Sequence, residues 1–203
     1  MVVSKEGKET AKVKYGDDEL DSVTEFSYLG VMFTSDGKWE KEVGRRLQMG
    51  RAGLSSISKQ VIWNKNVSAE VKKVIFSAMV RSRLLYGGEA WWAGKQLMGK
   101  LETVQNDFLR WISGHTRKDK LHVHELRQEL RMSSVEDELC RRRLYWLGHV
   151  IRMDACRLVS RVWGSKLEGK KGRGRPRWSY EMQEREDLAR GGLSRVMALE
   201  RVE

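Results

Sequence analysis

The chain has 203 residues, 40% of them hydrophobic, with 39 Lys+Arg against 28 Asp+Glu for a net charge of +11. That apolar fraction excludes a disordered tail, and the length allows one domain or two small ones. The positive surplus favours polyanions, nucleic acid first and an anionic membrane surface second, while no apolar run approaches the roughly 20 residues of a membrane span.

The first elements are expected to be strands. Val13 and Tyr15 alternate with Lys12 and Lys14, and Gly16-Asp17-Asp18-Glu19 makes a turn. Val23, Phe26, Tyr28, Leu29, Val31 and Phe33 then supply β-branched and aromatic residues. Ser35-Asp36-Gly37-Lys38 is a second turn. A helix follows from Trp39 to about Trp63, carrying Val43, Leu47, Leu54, Ile57 and Val61 near helical spacing. Gly44, Gly50 and Gly53 each weaken it by about 1 kcal/mol relative to Ala. Ser68 suits the cap of the next helix, whose apolar face reads Val71, Ile75, Met79 and Leu84-Leu85 before an interruption at Gly87-Gly88. Leu97, Leu101, Val104, Phe108 and Ile112 form a third stripe, closed by Gly114. After a polar link, His115 to Lys120, a short helix carries Val123, Leu126 and Leu130. Ser134-Val135-Glu136-Asp137 resembles a capping box and opens a helix with inner face Cys140, Leu144, Leu147 and Ile151. Residues 155–163 extend the helical pattern, and residues 165–177 are a basic, glycine-rich loop around Pro176. One or two short helices are expected after it.

Several residue groups suggest chemistry. Tyr15-Gly16-Asp17-Asp18 pairs two carboxylates of the kind that bind Mg²⁺ in polymerases. Its flanks, Lys12, Lys14, Glu19 and Asp21, describe a solvated turn instead. Cys140, His149 and Cys156 fall short of the four ligands of structural zinc. Cys140 also sits on an apolar stripe, where a reduced cysteine is ordinary core. Two cysteines cannot build a disulfide framework, and MVVSKEGKET has no apolar signal core, so nucleus or cytoplasm is expected. His115, His122 and His124 cluster loosely without a nucleophile at useful spacing. The basic groups are more informative: Arg45, Arg46 and Arg51; Arg81 and Arg83; Arg141, Arg142 and Arg143 with Arg152; and Lys170, Lys171, Arg173, Arg175 and Arg177. Together they point to phosphate contacts. Trp91-Trp92, Trp111, Trp146 and Trp178 lie near them; such rings can stack on bases, although most are expected in the core. Arg173-Gly174-Arg175-Pro176 matches the core of an AT-hook, which lies in a narrow A·T minor groove.

Four segments, in order, resemble LINE-type (non-LTR) retrotransposon reverse transcriptases. Phe26-Ser27-Tyr28-Leu29-Gly30-Val31 with Thr34-Ser35-Asp36-Gly37 is similar to the family's F-x-Y-L-G strand. Leu84-Leu85-Tyr86-Gly87-Gly88-Glu89-Ala90-Trp91 looks like its LLYGCETW segment, with Gly88 where the family has Cys. Arg142-Arg143-Leu144-Tyr145-Trp146-Leu147-Gly148-His149-Val150-Ile151-Arg152-Met153 is similar to RRLRWLGHVLRM, and Gly172-Arg173-Gly174-Arg175-Pro176-Arg177 matches the basic GRPR stretch.

The resemblance implies a mainly α fold: a small N-terminal β-hairpin, a thumb-like helical bundle and a helical C-terminal extension. It implies a palm-end hairpin with primer grip over residues 1–37, with Phe26, Tyr28, Leu29 and Gly30 at the primer's 3′ end. The thumb-like bundle would be 38–114, the extension 115–164, and the basic loop with terminal helices 165–203. Fingers and the catalytic palm would lie upstream, with the Mg²⁺ site, so the isolated chain is expected to hold template–primer RNA or DNA without catalysing, having no cofactor and no membrane partner of its own. An upstream reverse transcriptase polypeptide is then a possible partner. The alternative is a decayed or domesticated helical interaction protein, or an AT-hook-like DNA binder, with no polymerase role.

Overall fold

Short-range chemistry sets the first hairpins. Asp-Gly and Gly-Asp pairs favour two-residue turns. In a computed structural model describing residue 3 and residues 13–91, 94–165, 180–195 and 197, β1 (Val13–Tyr15) pairs antiparallel with β2 (Asp18–Leu20) through the Gly16-Asp17 turn. β3 (Glu25–Tyr28) pairs with β4 (Val31–Thr34) in register Glu25↔Thr34 to Tyr28↔Val31. The sequence thus forms two small hairpins rather than one.

Helices make up the rest of the described residues. α1 (Glu40–Ile57) runs on into a π turn, Ser58–Ile62. α2 (Ala69–Phe76) starts where the Ser68 hydroxyl accepts the Val71 N–H at 3.4 Å. It continues through a second π turn, Ser77–Arg81, into α3 (Ser82–Leu84). α4 (Lys95–Ser113) ends at Gly114, whose φ of 71° gives the left-handed cap that its sequence position suggested. α5 (Val123–Glu129), α6 (Val135–Ile151), α7 (Leu158–Gly164) and α8 (Tyr180–Gly191) follow. No helix among the described residues is long and apolar enough to cross a membrane. The expected mainly helical fold behind a small β element is what the chain adopts.

Two compact units arise, Met1–Val135 and Glu136–Glu203. In the first, Phe76 of α2 stacks on Phe108 of α4 with ring centroids 4.0 Å apart, among Val43, Leu54, Ile62, Leu101 and Val104. The polar link at 115–120 stays inside this unit. Thr116 caps a 3₁₀ turn there, and Arg117 reaches Asp107 at 2.9 Å. Gln105, fully buried, receives an Arg81 hydrogen bond at 2.9 Å and donates to the Ser133 carbonyl at 2.7 Å.

The inner face of α2 differs from the expected one. Val71 and Met79 are exposed, and Lys72, Phe76, Val80 and Leu84 point inward. The cause lies in α1, where Gly50 and Gly53 open a trough for that side. A Cβ on Gly50 would meet Leu84 Cδ1 at 2.7 Å, and one on Gly53 would meet the Met79 carbonyl oxygen at 3.0 Å. The glycines that weaken α1 as an isolated helix are therefore what lets α2 and α3 approach. Gly53→Val is expected to destabilise the chain by about 1–3 kcal/mol through overpacking. Gly44→Ala, with nothing within 4 Å of its Cβ, should stabilise it by up to about 1 kcal/mol. Urea denaturation followed by circular dichroism reads both; equal effects at the two sites would refute the trough.

In the second unit α6 and α8 pack through a buried ion pair. Arg143 grips Asp187 in two-pronged fashion, Nε to Oδ2 at 2.6 Å and Nη2 to Oδ1 at 2.8 Å. Gln183 donates to the same carboxylate at 3.0 Å. The buried side of α6 is thus Leu139, Cys140, Arg143, Leu147 and Val150. It is turned from the expected Cys140–Leu144–Leu147–Ile151 stripe, because a paired arginine occupies a core position. Trp163 of α7 sets its ring edge-on to Tyr180 of α8, 4.7 Å between centroids.

Candidate nucleic-acid interface

The β3–β4 turn is the most constrained point of the first unit. Its two central residues, Leu29 and Gly30, have φ of 47° and 77°. Two-residue hairpins favour such positive values, which Gly adopts freely and Leu does not. Surrounding groups hold the turn in place. The Tyr86 hydroxyl donates to the Leu29 carbonyl at 2.9 Å, and the guanidinium groups of Arg45 and Arg46 both donate to the Gly30 carbonyl. Glu42 is fully buried beneath. Its carboxylate accepts the Met32 N–H at 2.9 Å, Arg45 Nε at 3.1 Å and Arg46 Nε at 2.5 Å. Arg46 also lies over the Tyr86 ring, 4.6 Å from its centroid. Gly87, with φ of 69°, leaves room for Val31: a Cβ there would sit 2.7 Å from Val31 Cγ2. The two motif segments 26–31 and 84–91 are thus one structural unit. Phe26, Tyr28 and Leu29 remain exposed on it, Leu29 at 74%.

The candidate basic residues separate into groups. Arg51 and Arg83 are exposed, with no ion-pair partner among the described residues. They follow and precede Gly50 and Leu84, the contact between α1 and α3. Arg141 is exposed and reaches the Glu138 carboxylate at 2.8 Å; Arg142, partly covered, reaches it at 3.0 Å. Arg45 is half-buried against Glu42, and Arg81 joins α2 to α4 through Gln105. Arg46 and Arg143, grouped with the phosphate-facing residues on sequence, are buried, at 3% and 7% exposure. Their charge is consumed by Glu42 and Asp187, so they serve the fold. Lys170, Lys171, Arg173, Arg175 and Arg177, and with them the AT-hook-like segment, lie outside the described residues.

Glu42 and Tyr86 were not singled out as site residues. The Glu42-x-x-Arg45-Arg46 spacing was the available signal, since residues three and four apart on a helix are neighbours.

The other candidates carry little chemistry. Asp17, on the β1–β2 turn, and Asp18, at the start of β2, are both exposed. Among the described residues no three His, Cys, Asp or Glu side chains are grouped to hold a metal. Cys156 is exposed. The buried Cys140 thiol donates to the Asp187 carbonyl at 3.6 Å. Burial first, and then the Asp187 charge, push that thiol up to about 11, so it stays protonated. His115 sits 3.9 Å from Asp119, while His122 and His124 face solvent. Of the tryptophans, Trp91 is core, Trp111 and Trp146 are exposed, and Trp92 and Trp178 lie outside the described residues.

Comparison with known proteins adds one relationship. The chain is 30% identical over 146 residues to a Caenorhabditis elegans protein provisionally named as transposon-derived and uncharacterized. The chain resembles a transposon-derived protein. That match covers 66% of this chain and 49% of the relative, so the chain spans about half the relative's length. It supports a transposable-element origin. No family model matches the chain, and no solved structure matches it.

Proposed function

We propose that this chain is the template–primer-holding part of a LINE-type reverse transcriptase, comprising primer grip, thumb-like helices and a C-terminal extension. The observation that carries the reading is the anchored turn at Tyr28–Val31. Buried charge and a tyrosine fix its backbone, yet the Tyr28 and Leu29 side chains are left facing outward. A turn whose backbone is held this firmly while Leu29 stays exposed suits a strand end pressed against it. Backbone strain of the Leu29 kind clusters at ligand-holding sites. Arg51 and Arg83, exposed on α1 and α3 of the same unit, supply cations for phosphates. The polymerase carboxylates and their Mg²⁺ belong, in this reading, to a palm outside the chain, and no catalytic step is assigned to the residues described.

Filter binding of the full chain to a recessed-end template–primer tests it. Affinity should fall linearly on log–log axes with salt, and Arg51→Gln or Arg83→Gln should each lower the slope by about 1. Tyr28→Ala and Leu29→Ala should weaken the recessed-end substrate but not a blunt duplex of equal length. Equal loss on both would remove the primer-grip role. Absence of any binding at low salt would remove the reading altogether.

One observation favours a protein contact in the same region. Tyr15, Leu20, Val23, Phe26, Tyr28 and Leu29 are all exposed on the two hairpins. Apolar surface of that kind marks a docking face, here for the rest of the polymerase. The isolated chain should then self-associate as concentration rises in sedimentation velocity. A monomer throughout would argue against a docking face.

A further inference from the structure

We infer that the outer face of α6 is a stacking platform for unpaired bases of a single-stranded nucleic acid, an assignment that rests on the nucleic-acid reading of the chain. Helical spacing gathers Arg141, Arg142, Tyr145, Trp146 and His149 within an arc of about 140° at 3.6 residues per turn, and Arg152 follows just past the helix end. Tyr145 is 79% exposed and Trp146 42%. Trp146 leans on His149, with ring centroids 5.6 Å apart, which limits the freedom of the larger ring before anything binds. The opposite side of the helix buries Leu139, Arg143, Leu147 and Val150, so the face is carried on a fixed rod rather than a loop.

Charge and shape choose the occupant. Arg141 and Arg142 both reach the Glu138 carboxylate, and the Arg141 side chain stays 69% exposed, so a guanidinium faces solvent at this end. Arg152 is exposed at the far end. Cations flanking flat rings follow a phosphate backbone while its bases stack, and such stacking tolerates any base. A membrane-surface helix keeps its apolar side chains, aromatics included, on one face and its cations on the other, whereas this arc mixes rings and cations on one face. Base pairs in a duplex already have their faces covered, so the occupant is unpaired. Buried aromatics in this stretch would have been ordinary core; their exposure is what the sequence did not give away.

Fluorescence anisotropy with the full chain decides it, using labelled oligodeoxythymidine, an abasic strand of the same length and a duplex. Wild type should bind the thymidine strand more tightly than the abasic one. Tyr145→Ala and Trp146→Ala should each cost about tenfold on thymidine, about 1.4 kcal/mol, with the abasic affinity and the salt slope unchanged. Tyr145→Phe, which keeps the ring, should restore binding. Arg141→Gln should weaken both strands and lower the slope by about 1. The platform is overturned if wild type binds thymidine and abasic strands alike, or if Tyr145→Ala leaves thymidine binding intact. It is equally overturned if Tyr145→Ala abolishes binding to phosphatidylserine vesicles while sparing the oligonucleotide. Those outcomes leave the general reading standing. Failure to bind strand or duplex at low salt overturns both.

Discussion

Glu42→Ala lowers the unfolding free energy of the first unit by about 3–5 kcal/mol, the cost of leaving a buried charge without its partner. The change strips Arg46 of its only carboxylate among the described residues while the side chain stays 4% exposed, and it removes the acceptor of the Met32 N–H in β4. The Gly30 carbonyl and the Tyr86 ring cannot replace a full negative charge. Urea denaturation of the full chain reads the loss. Glu25→Ala, which removes an exposed pair with Lys41, is the control and should cost at most about 1 kcal/mol. Adding Arg46→Met to Glu42→Ala should recover much of the loss, because an apolar side chain of similar length needs no counter-charge. If Glu42→Ala costs no more than the control, the turn is not held by buried charge.

Asp187→Ala is expected to cost the second unit a similar amount, about 3–5 kcal/mol, by stranding Arg143 in the interior between α6 and α8. Hydrogen exchange of the α8 amides should rise selectively. Unchanged exchange there would refute the pair as the hold on α8. The same spot sets a pH limit through Cys140. The unfolded thiol titrates near its ordinary 9.0 and the native one near 11. Below 9.0 both states keep the proton and the thiol adds no pH dependence. Above it the unfolded chain releases the proton first, so stability falls as pH rises between 9.0 and about 11. Cys140→Ala should flatten that decline, measured as the denaturation midpoint against pH.

What the sequence revealed was mostly local. Ser68 and Gly114 act on their own helix ends, and the stripe Leu101, Val104 and Phe108 repeats within one helix, so each could be read without its partners. The inner face of α2 could not, because what selects Lys72, Phe76, Val80 and Leu84 over Val71 and Met79 is a glycine trough on a different helix. On sequence Arg46 and Arg143 fall among the phosphate-contact candidates, because arginines are usually exposed. Glu42 with the distant Gly30 carbonyl makes burial tolerable for Arg46, and the distant Asp187 does so for Arg143. At the candidate site, the motif spelled Tyr28-Leu29-Gly30 but not its geometry. A leucine at positive φ is visible only once the groups that compel it are in place.

The π turn at Ser77–Arg81 has a consequence for chain length. Side chains spaced strictly by four drift about 40° per step around a regular α-helix. Lys72, Phe76, Val80 and Leu84 would therefore fan apart before reaching α1. The wider turn absorbs part of that drift and behaves as one inserted residue. Losing one residue there would swing Leu84 by about 100° away from Gly50. The loop at 64–67 carries no such phase. Insertions and deletions are expected to be tolerated better in that loop, whereas between Ser77 and Arg81 the count of residues is itself part of the packing.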